Sequence, residues 1–452
     1  MNLNFDPNFL SMMQDLLQDE FADYLKSFEK PSFNGLRVNT LKISVTDFLK
    51  IAPFKLRPIP WTNDAFYIEN KEEASKHPYY QAGLYYLQEP SAMLPAETLN
   101  INEGDLVLDT CAAPGGKSTK LACKLNRTGL LVSNDISASR AFALLKNLEL
   151  FGSENIYVLA EDLHNLSTNF SNYFDSILID APCSGEGMFR KDPEMFKGYL
   201  KKDRTTYLAI QEDIITIAYQ LLKDGGELVY STCTFDPQEN EGIIAKLLSK
   251  FPNAELIDIP LYPGFKKGLI YNGFDISKAV RLYPHLIEGE GHFCCHIKKI
   301  GNKLSSKEAI FKDDKIKNEE FQEFFKLLDF GKDHHLKTIK DDVYLLPNIP
   351  FSDNHLRVLR SGLKIGSLQK GRFRPSQALA LSLNKDNYPY CINLQKDDIR
   401  VQKYLKGETI DVNDFCCHNG YNLVLVDGYP LGFANIKNGV FKNAIEKGWI
   451  RQ

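Results

Sequence analysis

The sequence of 452 residues lacks any apolar run long enough to cross a membrane, since no stretch approaches about 18 uninterrupted apolar residues. Its N-terminal segment lacks the basic and then apolar order of a secretory signal. Positive charge is not in excess either, because 54 lysines and arginines face 58 aspartates and glutamates. These absences predict a cytoplasmic protein without a membrane partner. They exclude a wholly electrostatic nucleic-acid binder, but not a local basic face.

Cysteine is too sparse for a disulfide scaffold. Nine cysteines, an odd number, predict reduced thiols. The tetrapeptide FCCH occurs at Phe293–His296 and again at Phe415–His418. Neighbouring residues of a strand point to opposite faces, so adjacent thiols rarely share one tetrahedral ion, and we predict no metal site.

What the sequence does contain is an alternation of predicted strands and helices. A hydrophobic fraction of 43% suits a globular protein, and the length suggests several domains. Strands and helices alternate between Gln88 and Lys299, which predicts a mostly parallel sheet with ligands at the carboxyl ends of its strands. We predict four regions: an N-terminal α+β region (1–87), a catalytic domain (88–300), a linker and helical connector (301–352) and a C-terminal region (353–452).

The segment Leu106–Leu125, LVLDTCAAPGGKSTKLACKL, has the order strand, glycine turn, helix. A phosphate-binding loop would need glycine where this chain has Cys111, and Pro114 removes an amide that a phosphate would use. An NTPase stays open, because SILID (Ser176–Asp180) resembles a magnesium-holding strand. The other interpretation is a nucleoside-type cofactor without phosphates, which the glycines allow close to the backbone.

Carboxylates at the next two strand ends favour the nucleoside. Asp135 suits hydrogen bonds to both ribose hydroxyls, and Asp162 suits the exocyclic amine of an adenine. Asp135 could instead be a helix cap and Asp162 an ordinary loop residue. Together with the glycine loop, the series favours S-adenosylmethionine.

Two thiols, Cys183 in DAPCSG and Cys233 in YSTCT, follow strand ends at the same predicted rim. A cysteine there is most often a small packed hydrophobe. Beside a methyl donor, however, a thiolate suits methylation of a pyrimidine: it adds to C6, C5 attacks the methyl group, and the thiol leaves after a base removes the C5 proton. Asp180 would then hold a proton on N3, and Lys117 would steady the carboxylate, unless Lys117 simply faces solvent.

Three segments resemble the Nol/Nop/Sun family of RNA (cytosine-5)-methyltransferases: DTCAAPGGK (Asp109–Lys117), DAPCSGEGMFRKDP (Asp180–Pro193) and YSTCT (Tyr230–Thr234). QEPSAMLP (Gln88–Pro95) is similar to its RsmF-like bacterial branch, which acts on 16S rRNA. The resemblance implies an α/β fold: a Rossmann-like, S-adenosylmethionine-dependent methyltransferase sheet with a small N-terminal α+β RNA-binding region and a C-terminal PUA-like RNA-binding region.

The resemblance also implies the role of each site residue. Cys233 matches the nucleophile and Cys183 the thiol that assists product release, with Asp180 and Lys117 beside them. A DNA enzyme is disfavoured, because it would leave Cys233 idle. The implied cofactor-binding set is Cys111, Ala112, Ala113, Pro114, Gly115, Gly116, Lys117, Asp135, Asp162 and Asp180.

Basic residues are expected to hold the RNA. Arg190 and Lys191 follow the Cys183 segment, and Arg372 and Arg374 lie in a stretch of the tail without an intervening acid. We therefore expect a monomer that makes 5-methylcytosine in small-subunit rRNA, either naked or assembled into the 30S subunit. A tRNA enzyme and a ribosome-assembly factor remain open alternatives.

Overall fold

A computed structural model describes residues 5–191, 204–302, 311–329 and 334–451 of the protein. Part of the predicted connector, 303–310 and 330–333, lies outside the described residues. Within the described residues, no helix is long and apolar enough to span a bilayer.

The N-terminal region begins with two helices, α1 (Pro7–Leu17) and α2 (Phe21–Ser27). Asp6 starts α1 by accepting a 2.7 Å hydrogen bond from the amide of Asn8, and Pro7 fills the first helical position. A 3₁₀ turn at Gln18–Glu20 separates α1 from α2. The region continues with β1 (Asn34–Val38), α3 (Val45–Ile51), β2 (Arg57–Pro58), β3 (Ala65–Ile68), α4 (Lys71–Lys76), α5 (Pro78–Gln81) and β4 (Tyr85–Gln88), whose strands form a sheet in the order β2-β3-β1-β4.

Five parallel strands form the centre of the molecule. Their order is β9 (Leu222–Thr232), β8 (Phe174–Asp180), β5 (Leu106–Asp109), β6 (Leu130–Asn134) and β7 (Ile156–Leu159). Alternate residues of one strand belong to two different cores: Leu108 packs on one face of the sheet and Val107 on the other. This two-sided burial explains the nearly continuous apolar strands and confirms the predicted Rossmann-like class. The elements are α6 (Leu94–Thr98), β5 (Leu106–Asp109), α7 (Gly116–Leu125), β6 (Leu130–Asn134), α8 (Ala138–Phe151), β7 (Ile156–Leu159), α9 (Leu163–Ser167), β8 (Phe174–Asp180), α10 (Arg204–Leu221), β9 (Leu222–Thr232) and α11 (Glu241–Lys250).

An antiparallel extension follows and was only partly predicted. Strand β15 (His292–Lys299) pairs with β9 in antiparallel orientation. The insertion before it was not foreseen: β10 (Ala254–Ile257), β11 (Phe265–Lys267), β12 (Ile270–Tyr271), β13 (Phe274–Asp275) and β14 (Val280–Leu282). Cys294 and Cys295 of the first FCCH are buried in opposite cores of the sheet.

The C-terminal region forms two four-stranded sheets and contributes one strand to the central sheet. Strand β17 (Asp342–Pro347) pairs with β19 (Leu363–Gln369) across the predicted boundary between 352 and 353. Strand β18 pairs with β7 and extends the central sheet. The elements are α12 (Glu319–Phe325), β16 (His334–Ile339), β17 (Asp342–Pro347), β18 (Val358–Ser361), β19 (Leu363–Gln369), β20 (Arg372–Pro375), α13 (Gln377–Ser382), β21 (Cys391–Leu394), α14 (Ile399–Leu405), β22 (Gly420–Val426), β23 (Tyr429–Lys437) and β24 (Val440–Asn443).

Candidate active site

Two thiols meet at the carboxyl ends of β8 and β9. The parallel register places Asp180 beside Ser231, and each strand is followed within three residues by a cysteine. The sulfur atoms of Cys183 and Cys233 lie 3.3 Å apart, and both cysteines are free thiols. The structure thus brings together the two cysteines that the sequence singled out.

The thiol of Cys183 is held in its protonated form. Its hydrogen bond with Cys233 and its burial raise its pKa well above the ordinary value, and nearby charge on Cys233, Glu239 and Glu186 acts in the same direction. Lys117 interacts electrostatically with Cys233. The raised pKa of Cys183 keeps a proton on its sulfur, within 3.3 Å of the sulfur of Cys233.

Lys117 and Asp180 form an ion pair beside the thiols. The ammonium Nζ of Lys117 donates to Oδ2 of Asp180 at 2.7 Å, and the hydroxyl of Ser231 donates to Oδ1 at 2.9 Å. Only 11% of the Lys117 side chain is exposed, so the solvent-facing alternative is wrong. Burial alone would raise the pKa of Asp180, but the charge of Lys117 and the nearby His292 hold it well below the usual range.

The glycine loop runs from Cys111 to Lys117 and is fixed by helix α8. Asn147 donates to the carbonyl of Pro114 at 2.7 Å, and Arg140 donates to the carbonyl of Ala113 at 3.0 Å. Gly115 has a φ of +112°, and a side chain there would meet Leu144 at 3.2 Å. Its missing side chain thus serves the packing of the loop on α8, a reason that the sequence did not reveal.

The two acidic strand ends lie where they were predicted, and each also has a local structural role. Asp135 is buried and accepts hydrogen bonds from the amides of Ala113 and Ser137 at 3.3 and 3.0 Å. Asp162 is half exposed and caps α9 through the amide of His164 at 2.9 Å.

These groups fit a nucleoside-type cofactor better than a nucleotide. Carboxylates at two strand ends repel phosphates but accept from hydroxyls and amines. Lys117, which a phosphate-binding loop would need, is already paired with Asp180. Ile136, which the sequence reasoning missed, is 71% exposed beside Asp135 and offers an apolar surface to a flat ring.

A buried acidic network supports the Cys183 loop and was not anticipated. The hydroxyl of Ser184 hydrogen-bonds to Glu186 at 2.8 Å, to Thr234 at 2.9 Å and to Glu239. Gln211 also donates to Glu239, at 2.7 Å. The network ties the segment after Cys183 to the segment after Cys233. The sequence signal was weak, because an isolated Glu in a loop is usually solvated.

Glu186 makes stability depend on pH. Burial, followed by the charge of Glu239, raises the pKa of Glu186 from its ordinary 4.5 to about 7. Between these values the folded state holds a proton that the unfolded state has released, so stability is lost as pH rises through about 7. We expect the loss of unfolding free energy with rising pH to be smaller in Glu186→Gln than in the wild type, by about 1–3 kcal/mol.

The measurement is urea unfolding of both proteins near pH 5 and near pH 8. Burial raises the pKa of Asp109 to about 7 as well, so a residual decline should remain in the variant. Glu212, which is exposed on α10 and paired with Lys246, supplies the control Glu212→Gln. An unchanged pH slope in Glu186→Gln would contradict the prediction.

Arg190 is not available to RNA in this structure. Its guanidinium is buried and donates to Glu290 at 2.7 Å, to the carbonyl of Ser27 at 3.0 Å and to the carbonyl of Gly289 at 2.9 Å. The prediction of a phosphate contact for Arg190 is therefore replaced by a structural role. Lys191, next in the chain, is exposed.

Arg372 and Arg374 are exposed on β20, an edge strand whose alternate residues Phe373 and Pro375 are buried. The two guanidinium groups therefore share the outer face of the strand.

Family comparisons cover nearly the whole chain. The family described as "16S rRNA methyltransferase RsmB/F" matches residues 96–298. Three further descriptions match the flanks: "N-terminal domain of 16S rRNA methyltransferase RsmF" at 5–90, "RsmF rRNA methyltransferase first C-terminal domain" at 322–383 and "Methyltransferase RsmF PUA domain" at 391–451.

Individual relatives agree with these matches. The chain is 30% identical to ribosomal RNA small subunit methyltransferase F of Citrobacter koseri, over 99% of this chain and 97% of the relative. The enzyme of the same name from Vibrio campbellii is 31% identical, over 100% and 98%. Among solved structures, a methyltransferase homolog from Pyrococcus horikoshii superposes with a TM-score of 0.58 at 30% identity, covering 66% of this chain and 96% of that one.

Proposed function

The chain belongs to the RsmF family of 16S rRNA methyltransferases, and on this premise we propose that it methylates C5 of cytosine through a covalent bond between Cys233 and C6 of the ring. S-adenosylmethionine is the cofactor of the family. The full-length match to 16S rRNA enzymes favours rRNA over tRNA as the substrate.

The observation that carries the proposal is the 3.3 Å contact between the sulfurs of Cys183 and Cys233, next to the Lys117–Asp180 ion pair. Methylation of a base nitrogen or a ribose hydroxyl, which are nucleophiles themselves, has no use for a protein thiol. The C5 carbon of cytosine does, because it becomes nucleophilic only after a thiolate adds to C6. Two adjacent thiols provide one group to add and one to assist departure.

The residues divide the reaction between them. Cys233 adds as a thiolate to C6. The π pair of the C5–C6 bond shifts to C4–C5, and the π pair of the C4–N3 bond moves onto N3, which takes up a proton from water and donates it in a hydrogen bond to the ionised Asp180. Lys117 keeps that carboxylate oriented. After methyl transfer to C5, water accepts the protons on C5 and N3, the electron pair of the C5–H bond re-forms the C5–C6 double bond, and the C6–sulfur bond breaks, so that Cys233 is regenerated. Cys183, held as a thiol, supplies a proton to the departing Cys233 sulfur.

The residues that would hold the cofactor are the loop Cys111–Lys117 with Asp135, Ile136, Asp162 and Asp180. When bound, the sulfonium supplies an electrophilic methyl group. The protein's part is to place the cofactor at the same rim of the sheet as the thiols, since all these groups follow strand ends.

Arg372 and Arg374 are proposed to bind RNA phosphates. Replacing either with alanine should weaken RNA binding and reduce the slope of log K against log salt by about 0.7–0.9, as expected for one phosphate contact. Filter binding between low and moderate salt measures this slope. Arg400 provides the control, because its guanidinium is already paired with Asp398 and Asp414. Equal slopes for the wild type and Arg372→Ala would remove Arg372 from the RNA surface.

The experiment that tests the function is methylation of 16S rRNA by the purified protein with labelled S-adenosylmethionine, followed by bisulfite mapping. Naked rRNA, isolated 30S subunits and tRNA are compared as substrates. New bisulfite-resistant cytosines in 16S rRNA support the proposal. Methyl transfer to 16S rRNA without such cytosines would overturn the assignment to C5.

A further inference from the structure

His292 is a buried histidine of the site to which the mechanism above gives no role. It begins strand β15, and only 3% of its side chain is exposed. Its Nε2 faces Oδ1 of Asp180 at 3.4 Å. Among the described residues this nitrogen has no hydrogen-bond partner, although it is shielded from solvent. A buried ring nitrogen without a partner is uncommon, and here it points at the carboxylate that serves the reacting ring.

The segment that leads into His292 is held by the loops of both catalytic thiols. The amide of Gly187, in the loop after Cys183, donates to the carbonyl of Cys233 at 2.8 Å. A side chain on Gly187 would lie 3.0 Å from the carbonyl of Gly291, so the three segments cross without space between them. Glu290 adds the buried ion pair with Arg190 at 2.7 Å.

A second set of bonds anchors the same segment to the turn after β4. The amide of Glu290 donates to Glu89 at 2.8 Å, and the amide of Gly291 donates to the hydroxyl of Ser91 at 3.2 Å. The position of His292 is thus specified by contacts with three other parts of the chain. These hydrogen bonds and the ion pair fix the backbone before His292 in addition to the pairing of strand β15.

The charges around His292 favour a hydrogen bond to Asp180. Although burial acts against it, Asp180 is ionised, with a pKa below the usual range because of Lys117 and His292. The other titratable groups that interact electrostatically with this carboxylate are Lys117, Asp109, Cys111 and Cys294. Of the basic groups among these, Lys117 already bonds Oδ2 of Asp180, which leaves Oδ1 to Ser231 and His292.

We propose that His292 is a positioning residue, which donates from Nε2 to Oδ1 of Asp180 and fixes the carboxylate for the N3–H of the target cytosine. An ionised carboxylate offers about four lone-pair sites. Lys117 and Ser231 already occupy two of them. The proposed bond from His292 takes a third, and the fourth is left for the ring. The inference rests on the proposed function and adds to it a residue that acts only through Asp180.

The proposed hydrogen bond from His292 to Asp180 has its largest effect when charge develops on the ring. As the sulfur of Cys233 adds to C6, the N3–H bond must stay directed at one carboxylate oxygen, and rotation of Asp180 would misalign it. His292 gives up no proton in the cycle. It holds the acceptor still, so its loss should lower kcat while leaving the binding of RNA and cofactor unchanged.

The test compares two replacements that differ by one bond in length. His292→Gln keeps an N–H near the position of Nε2, whereas His292→Asn is too short to reach Asp180. We expect Asn to lower kcat by about 100-fold, with KM for RNA and Kd for S-adenosylmethionine within about twofold of the wild type. Gln should recover kcat to within about fivefold of the wild type.

A matched control lies on the same strand. His296 is equally buried and pairs with Glu227 at 2.9 Å, roughly 13 Å further along β15. His296→Asn should leave kcat within about twofold of the wild type. Adding His292→Asn to Asp180→Asn should cause no further loss, since one residue acts through the other.

Three results would each overturn the inference. The first is that His292→Gln does not restore kcat, and the second is that KM and Kd change in proportion with kcat. The third is that the losses in the double variant are additive. If His292→Asn does not fold, the inference is tested by comparing His292→Gln with the wild type and with the Asp180→Asn/His292→Gln double variant.

If the wild type methylates 16S rRNA at another atom, the proposed function fails. The coupling between His292 and Asp180 is then still measured on that methyl transfer, so the two failures remain distinct.

Discussion

Replacing Cys233 with alanine should abolish methyl transfer to 16S rRNA, with a loss on the order of 10⁴-fold or more. The reason is that C5 of cytosine has no other route to nucleophilicity once the addition at C6 is removed. Tritium transfer from labelled S-adenosylmethionine measures the loss. Cofactor binding should be retained, because Cys233 follows β9 whereas the predicted cofactor residues lie at or after the ends of β5, β6, β7 and β8.

Cys183→Ala should accumulate a covalent adduct with RNA, whereas Cys233→Ala should form none. Without the thiol that protonates the departing sulfur, the adduct should persist and survive denaturing electrophoresis. Cys294→Ala is the control, since this buried thiol lies on β15 close to Lys117 and Asp180. An adduct in Cys233→Ala but not in Cys183→Ala would exchange the two roles.

Asp180→Asn is expected to lower kcat by about 10²–10³-fold. The amide keeps the shape of the side chain but loses the charge that pairs with Lys117 at 2.7 Å and that, in the proposed mechanism, holds the proton on N3. Adduct formation with Cys183→Ala as background should slow by the same factor, because the lost interaction belongs to the addition step. Single-turnover kinetics measures both rates.

The control for this variant lies at the other end of the same strand. Asp175 pairs with Lys223 at 2.8 Å and is equally part of β8, but it lies at the end away from the thiols. Asp175→Asn should cost stability and leave kcat per folded molecule unchanged. An equal loss of kcat in both variants would mean that the effect comes from the sheet and not from the site.

The parts of the site that follow strand ends could be predicted from the sequence. Apolar runs buried on both faces are evident in a sequence, and parallel strands bring their carboxyl ends to one rim. Cys183, Cys233, Asp135 and Asp180 were located in this way. Their roles came from the resemblance to a known family, because spacing alone does not say which thiol attacks.

The parts that depend on long-range packing could not be predicted. Arg190 has the appearance of a phosphate ligand in the sequence, but Glu290, a hundred residues later, neutralises it in the interior. The proximity of His292 to Asp180 depends on the pairing of β15 with β9, and the Ser184–Glu186–Glu239 network depends on two loops crossing. No local sequence pattern predicts such contacts between residues that are far apart in the chain.

Strand β18 makes the catalytic sheet depend on residues that come long after it in the sequence. The amide of Ala160 donates to the carbonyl of Arg357, and the amide of Arg357 donates to Glu161, next to Asp162. A chain cut at residue 300 would leave β7 as a bare edge with unpaired amides and carbonyls, which invites self-association. Truncation at the apparent end of the enzyme would therefore yield an aggregation-prone fragment with a damaged cofactor rim.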